Sequence, residues 1–271
     1  MPELPEVETT RRGIAPLVKG RTITDVVVRE RRLRWPVPGN LEKTLMDQKI
    51  HRVSRRAKYL LFTLDHGTLI IHLGMSGRLW VVGKNQAVIK HDHVDLELDR
   101  KEILRFHDPR RFGAILWTTD DPDAHTLLRQ LGPEPLGKEF TAAYLYQKTR
   151  GRKRRIRDVL LDSHVVAGIG NIYANEALYL AGIDPRRSAG RIGRPRIERL
   201  VSAIVEVLNS AIQAGGTTLR DFRGGDGRPG YFQQALAVYG RAGQPCPQCG
   251  GPVSREQIGG RSLFFCRHCQ K

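Results

Sequence analysis

Four cysteines are all the chain contains, and they fall as Cys246-x2-Cys249 and Cys266-x2-Cys269 within the last 26 of 271 residues. Two such knuckles, sixteen residues apart, have the spacing of a zinc ribbon, in which two tight turns each offer a pair of thiolates to one tetrahedral Zn2+. The competing reading is a pair of disulfides in a secreted domain. No apolar leader precedes the first residues, so reduced cysteines on one structural zinc are expected, together with a cytoplasmic location. The metal would order a C-terminal segment too small to bury a core of its own.

The other end of the chain carries a different chemistry. It begins Met1-Pro2-Glu3-Leu4-Pro5-Glu6. Removal of the initiator methionine before a small residue would leave Pro2 with a free secondary amine. An α-amino group titrates near pH 7.7 to 8, so a useful neutral fraction exists at physiological pH, whereas a lysine must be shifted by more than about two units. Such an amine can attack a sugar C1′ and form an iminium. Glu3 beside it could supply acid and base functions, and Glu6 could orient the segment through backbone N–H groups. Taken alone, the Pro-Glu pair is more simply read as the start of a helix.

These groups need elements to position them. Pro5 to Val18 reads as a helix, with proline in its first turn and Gly20 just past its end. From Thr22 to Trp117 follow short β-rich runs: TITDVVV, RVSRRAKYLLFTL, GTLIIHLG, RLWVV, HVDLEL, EILRF and GAILW. Their spacing suggests an antiparallel sandwich or barrel. After about Asp120 the pattern turns helical. Asp121 can cap a helix opened by Pro122, Asn171 can cap NIYANEALYLAG, and Pro195 opens an amphipathic run stopped by Gly215 and Gly216. The join is expected near Gly132 to Gly137, and the Gly-rich stretch Gly215 to Gly230 leads towards the cysteines.

Charge narrows the partner. Lys plus Arg number 45 against 28 Asp plus Glu, a formal net charge of +17, with clusters at Arg29 to Arg34, Arg55 to Lys58, Arg150 to Arg157 and Arg186 to Arg199. One cluster is commonly just a solvated face; four of them beside a zinc ribbon favour nucleic acid. No run approaches eighteen apolar residues, so no membrane span is expected. GIGN at Gly168 to Asn171 lacks the third glycine and preceding strand of a dinucleotide site, so no nucleotide cofactor is expected. His91-Asp92-His93 would put two imidazoles on one face of a strand but supplies no third ligand, and is set aside as a metal site.

Taken together, PELPEVETTRRG at the start, RRAKYLL at 55 to 61, HLGMSG at 72 to 77, DPRRFG at 108 to 113, GIGNIYANEAL at 168 to 178, GGTTLRDF at 215 to 222 and GGRSLFFCRHCQK at the end resemble the bacterial formamidopyrimidine-DNA glycosylases. The match runs in order over the whole chain. It implies an α+β multidomain fold: a helix plus antiparallel β-sandwich catalytic domain at 1–131, a helix-two-turn-helix domain at 132–235 with a lesion-recognition loop at 215–230, and a zinc-finger β-hairpin at 236–271. Damaged double-stranded DNA would lie in the cleft between them, bound by a monomer. The implied activity is base excision repair of 8-oxoguanine and formamidopyrimidines, with cleavage of the abasic strand by β,δ-elimination.

Residue by residue, the resemblance implies Pro2 as Schiff-base nucleophile and Glu3 as the acid for base loss and ring opening. Lys58 would contact phosphate and assist β-elimination; Arg261 would bind phosphate and assist δ-elimination. An everted nucleotide leaves a gap, which Met75, Arg110 and Phe112 would fill, with Arg110 bonding the orphaned cytosine. In strand-like surroundings Met75 and Phe112 would otherwise be core. Asn171 joins the phosphate grip, and His91 and Arg152 match DNA-contact positions. Arg157 stands where many members of the resembled family carry lysine, which retains charge but changes geometry. The nearest alternative is an endonuclease VIII-like enzyme for oxidised pyrimidines; a non-catalytic zinc-ribbon DNA-binding protein is the reading from another class.

Overall fold

In the computed structural model, residues 2–216 and 236–271 are described. By contact density the chain forms two compact units, one of Met1–Arg129 with Ala214–Tyr231, the other of Gln130–Gln213 with Phe232–Lys271.

The first unit opens with helix α1, Leu4–Val18, whose Leu4, Val7, Ile14 and Val18 are fully buried. Eight strands follow: β1 (Ile23–Val28), β2 (Arg52–Arg56), β3 (Tyr59–Leu64), β4 (Gly67–His72), β5 (Arg78–Gly83), β6 (Asp92–Leu98), β7 (Glu102–His107) and β8 (Ala114–Thr118), with the short helix α2 (Leu41–Leu45) between β1 and β2. They make two four-stranded antiparallel sheets, in the orders β1-β6-β7-β5 and β2-β3-β4-β8. Val26, Leu96, Leu104 and Phe106 of the first sheet share one core with Leu60, Phe62, Leu69 and Ile115 of the second, and Val7, Ile14 and Val18 of α1 join it. This is the expected antiparallel sandwich, with period-2 alternation feeding one inner face per sheet.

Where the sequence reads as one run from Arg52 to Leu64, the backbone reverses. Ala57 adopts φ 53°, Arg56 pairs with Tyr59, and β2 and β3 form a hairpin around Ala57-Lys58. Glycine or asparagine normally marks such a turn, and alanine gives no signal.

Helix α1 packs on β2, β3 and β5. A buried carboxylate, Glu8, secures it by accepting from Arg11 and Arg12 on its own helix and pairing with Arg55 of β2 at 3.3 Å. Arg11 also donates to the Val53 carbonyl at 3.4 Å. Moving up β2 from Val53 to Arg55 thus moves down α1 from Arg11 to Glu8, which carries the Ala57-Lys58 turn towards the N-terminus of α1.

The second unit contains α3 (Ala142–Thr149), α4 (Ile156–Leu160), α5 (Asn171–Leu180) and α6 (Arg194–Gln213), then the hairpin β9 (Ser254–Ile258) and β10 (Arg261–Phe265). Helix α6 packs on α3 and α5, and β10 packs on α5. The expected helix after Asp121 is a single 3-10 turn, Pro122–Ala124, because Asp121 caps only Asp123 N–H. Asn171 is not a cap; Gly170 holds that position, and Asn171 is the first residue of α5. No helix among the described residues is long and apolar enough to cross a membrane.

The Glu8 clamp gives a pH test. Burial alone would raise this carboxyl, but the neighbouring guanidiniums outweigh it and hold it down at about 2. A depressed carboxylate contributes stability that is present above its ordinary value, 4.5, and is lost as pH falls towards 2. The shift corresponds to at most about 3 kcal/mol. Chemical denaturation should find Glu8→Gln clearly less stable than wild type at neutral pH, with the gap narrowing below pH 4.5 and closing only near pH 2.

Candidate active site and nucleic-acid interface

Pro2 and Glu3 are both buried at the N-terminal end of α1. Glu6, one turn in and also buried, accepts the Glu3 N–H through Oε2 at 2.8 Å. Gly216 reaches the same place: at φ 81°, a Cβ on it would lie 3.3 Å from Glu6 Oε1. The chain therefore returns beside the Glu3–Glu6 turn just before residues 217–235. The expected lesion-recognition loop beyond Gly216, including Gly224, Gly225, Gly227 and Gly230, lies outside the described residues.

Lys58 is half-buried in the β2–β3 turn, which points towards that helix end. His72, at the end of β4, stacks on Tyr59 with ring centroids 4.7 Å apart. Burial lowers its pKa to about 4, with the charges of Lys58 and Arg34 adding to the effect. It is therefore neutral at physiological pH, and its Nδ1 accepts the Gly74 N–H at 3.0 Å, which leaves Nε2 carrying the proton.

Met75 and Phe112 are not core: they are 38 % and 41 % exposed. They occupy neighbouring turns, β4–β5 and β7–β8. Gly74 (φ 63°) packs so closely that a Cβ would come 2.4 Å from the Phe112 carbonyl carbon. Arg110 is exposed, with its guanidinium carbon 4.9 Å from the Phe112 ring centroid. His91 is not on a strand face as its alternation suggests. It precedes β6 at φ 77°, and its ring meets those of His93 and His107 edge-on at 6.1 and 6.0 Å. His93 instead bonds the Asp108 carbonyl through Nε2.

In the second unit, Asn171 donates through Nδ2 to the Ser262 carbonyl at 2.8 Å. Asn175, one turn on, accepts the Phe264 N–H at 2.9 Å. The i, i+4 rise along α5 matches the two-residue rise along β10, so the pair clips the hairpin to the helix. Arg157 is buried; it donates to Asn171 Oδ1 at 3.1 Å and to the Ile258 carbonyl at 3.4 Å. Burial lowers its pKa, and the charges of Arg261 and Arg155 add to this against the pull of Asp158. A guanidinium stays charged nonetheless. Arg157 lines a pocket of about 280 Å3 with Arg154, Arg155 and the exposed Arg261, which begins β10. Its Nε has no partner among the described residues. Arg152 lies on the α3–α4 connection, half-buried and 4.0 Å from Asp162.

The four cysteine sulfurs lie within 4.8 Å of one another, Cys246 and Cys269 at 3.9 Å, Cys249 and Cys266 at 3.5 Å. Zn–S bonds of about 2.3 Å in a tetrahedron put sulfurs roughly 3.8 Å apart, so the cluster fits one zinc ion. Tyr179 of α5 lies with its hydroxyl 3.2 Å from Cys246 Sγ. Below the knuckles, Val238, Val253 and Phe264 form a small core.

Three family patterns cover the chain: the formamidopyrimidine-DNA glycosylase N-terminal domain at residues 1–115, the H2TH domain of the same enzymes at 131–223, and the zinc finger found in FPG and IleRS at 243–271. The chain belongs to the formamidopyrimidine-DNA glycosylase family. The formamidopyrimidine-DNA glycosylase of Thioalkalivibrio sulfidiphilus is 57% identical over 271 residues, and that of Acidithiobacillus ferrooxidans 56%, each covering 100% of both chains. The crystal structure of MutM (Fpg) from Thermus thermophilus is similar with a TM-score of 0.90 at 41% identity, over 99% of this chain and 98% of that one. Lactococcus lactis Fpg bound to DNA containing N7-benzyl-Fapy-dG matches with a TM-score of 0.92 at 34% identity, over 100% of both.

In this glycosylase the four thiolates hold one structural zinc. Sequence reasoning missed the residues that hold the others still: Glu8, His72, Asp108 and Asn175. All four lie in or beside the motifs quoted above, but none is of a type or spacing that announces chemistry.

Zinc-finger peptides gain roughly 10 to 16 kcal/mol of apparent metal-binding free energy at neutral pH, far more than the small core beneath the knuckles can supply. Cys249→Ser should therefore abolish zinc binding, read by elemental mass spectrometry. Amide protection should be lost across Ser254–Phe265 and kept across the strands of the first unit.

Proposed function

We propose that the chain excises oxidised purines, 8-oxoguanine and formamidopyrimidines, from duplex DNA and then cleaves the abasic strand through a Schiff base at Pro2. The carrying observation is the N-terminus of α1: Pro2 and Glu3 buried together, Glu3 held by Glu6, and the Lys58 turn directed to the same end. An amine at a helix N-terminus feels the positive end of the helix dipole, which disfavours its protonation and favours the neutral nucleophile. Once Met1 is removed, the Pro2 nitrogen forms a bond to C1′ while the bond from C1′ to the base breaks and the departing base takes a proton from the Glu3 carboxyl. The Glu3 carboxylate then takes the Pro2 N–H proton and passes it to O4′, which opens the sugar ring and gives the iminium. Loss of a C2′ proton then expels the 3′ phosphate, with Lys58 beside the leaving oxygen. A second elimination expels the 5′ phosphate, assisted by Arg261, and water releases Pro2.

The remaining roles follow from charge and exposure. Arg261 belongs to a pocket walled by four guanidiniums, an arrangement suited to a phosphate. Asn171, at the first turn of α5, joins the phosphate grip with its side chain and the nearby helix N–H groups, and Arg152 and His91 are further backbone contacts. Met75, Arg110 and Phe112 fill the vacated stack, with Arg110 leaving Phe112 to bond the orphaned cytosine. The relatives support the substrate class: solved complexes of L. lactis Fpg hold N7-benzyl-Fapy-dG DNA, abasic-site DNA and oxidised-pyrimidine DNA. The last of these keeps pyrimidine lesions in the test as competitors.

Borohydride should trap a covalent complex with an 8-oxoguanine:cytosine duplex, and Pro2→Gly or an N-terminal extension should remove it. Undiminished trapping by a blocked N-terminus would refute the nucleophile. Glu3→Gln should lose most base excision yet still cleave a preformed abasic site, because such a site has no base left to protonate. Faster removal of thymine glycol than of 8-oxoguanine would make the enzyme endonuclease VIII-like.

A further inference from the structure

Asp108 is fully buried, yet none of the chemistry above uses it. Its carboxylate accepts three donors: Ser76 Oγ at 2.9 Å and Arg110 N–H at 3.3 Å on Oδ1, and Gly113 N–H at 2.7 Å on Oδ2. Its main chain continues the pattern. The Asp108 N–H donates to the His91 carbonyl at 3.0 Å, and its carbonyl accepts from Arg111 N–H and from His93 Nε2. The neighbours of this one residue are thus Ser76, which follows Met75; Arg110 itself; Gly113, which follows Phe112; and His91. Gly113 is closely packed beside it, since a Cβ there would lie 2.6 Å from Phe106 and 3.1 Å from Asp108 Oδ2. Removing the carboxylate would strand a buried Gly113 N–H and the buried Ser76 hydroxyl.

We infer that Asp108 is the positioning residue of the base-eversion device, the group that holds the Met75 turn and the Arg110–Phe112 turn in one register so that they enter the duplex together. This rests on the proposed role of Met75, Arg110 and Phe112. The latch grips main chain and a serine, leaving all three working side chains free to move. A carboxylate suits the task because two oxygens can hold two separate turns at once. Displacement of inserted groups by about 1 Å can cost on the order of a hundredfold in rate.

The test uses full-length zinc-loaded enzyme and single-turnover kinetics on an 8-oxoguanine:cytosine duplex carrying 2-aminopurine next to the lesion. Asp108→Ala should slow both the 2-aminopurine eversion signal and base excision by about a hundredfold. Borohydride trapping on a single-stranded abasic oligonucleotide, where nothing has to be everted, should stay within about threefold of wild type. Asp108→Asn, which keeps an acceptor for Gly113, should restore most of the eversion rate, and Ser76→Ala, which cuts one arm only, should fall between. An unchanged eversion rate in Asp108→Ala overturns the inference, as does equal loss of eversion and single-strand trapping in Ser76→Ala, whose fold the lost hydroxyl does not threaten. A wild-type enzyme that neither traps nor excises would instead remove the proposed function.

Discussion

The placement of the chain's N-terminus depends on burying one helix in one orientation. A terminal segment is ordinarily the most poorly ordered part of a domain, because it is tethered on one side only. Here Leu4, Val7, Ile14 and Val18 sink one face of α1 into the sandwich core, and Glu8 fixes its register on β2 with guanidiniums from both elements. Burying an isolated carboxylate is costly, and Glu8 offsets the cost by being paired from both sides. Register then does the rest: with Glu8 opposite Arg55, the turn that follows Arg56 falls at the helix end where Pro2 and Glu3 are. Packing that looks purely structural thereby fixes where the Ala57-Lys58 turn lies along the helix.

The second unit solves a different problem with the same kind of device. The hairpin of β9 and β10 is too short to be stable alone, and its apolar core is a handful of side chains. Zinc supplies the free energy, but a metal at one end does not by itself orient the other. Asn171, Asn175 and Arg157 do that, gripping Ser262, Phe264 and Ile258 by their main chain and leaving the Arg261 side chain exposed. The sequence reading of Asn171 as a helix cap therefore needs adjustment: Gly170 holds that position, and the Asn171 amide is engaged with the hairpin that carries Arg261.

What could be read from sequence was what chemistry constrains directly. Four thiolates on one metal come in pairs, and alternating strands with glycine punctuation pack into a sandwich; each leaves a mark in residue type and spacing. The hairpin at Ala57 left none, since alanine can take a positive φ when its neighbours, here the Arg55 bond to its carbonyl, hold it there. Met75 and Phe112 read as core by composition because exposure is decided by which turn they occupy, and a turn is a tertiary fact. Asp108 was invisible for a related reason: an Asp-Pro pair marks a turn, but only the fold brings Ser76 to the same carboxylate.

Exposed apolar side chains on a folded protein are ordinary when they occur singly, and Met75 and Phe112 lose little by facing water. What sets them apart is that the main chain beneath each is more tightly held than its surroundings require. Gly74 and Gly113 allow no side chain, Asp108 closes both turns, and His72 fixes Gly74 from the other side. A surface that served only solubility would have no use for rigid turns under mobile tips. A rigid backbone under exposed side chains would suit the insertion proposed for them: the entropy of placing the turns is lost during folding, before any partner is met.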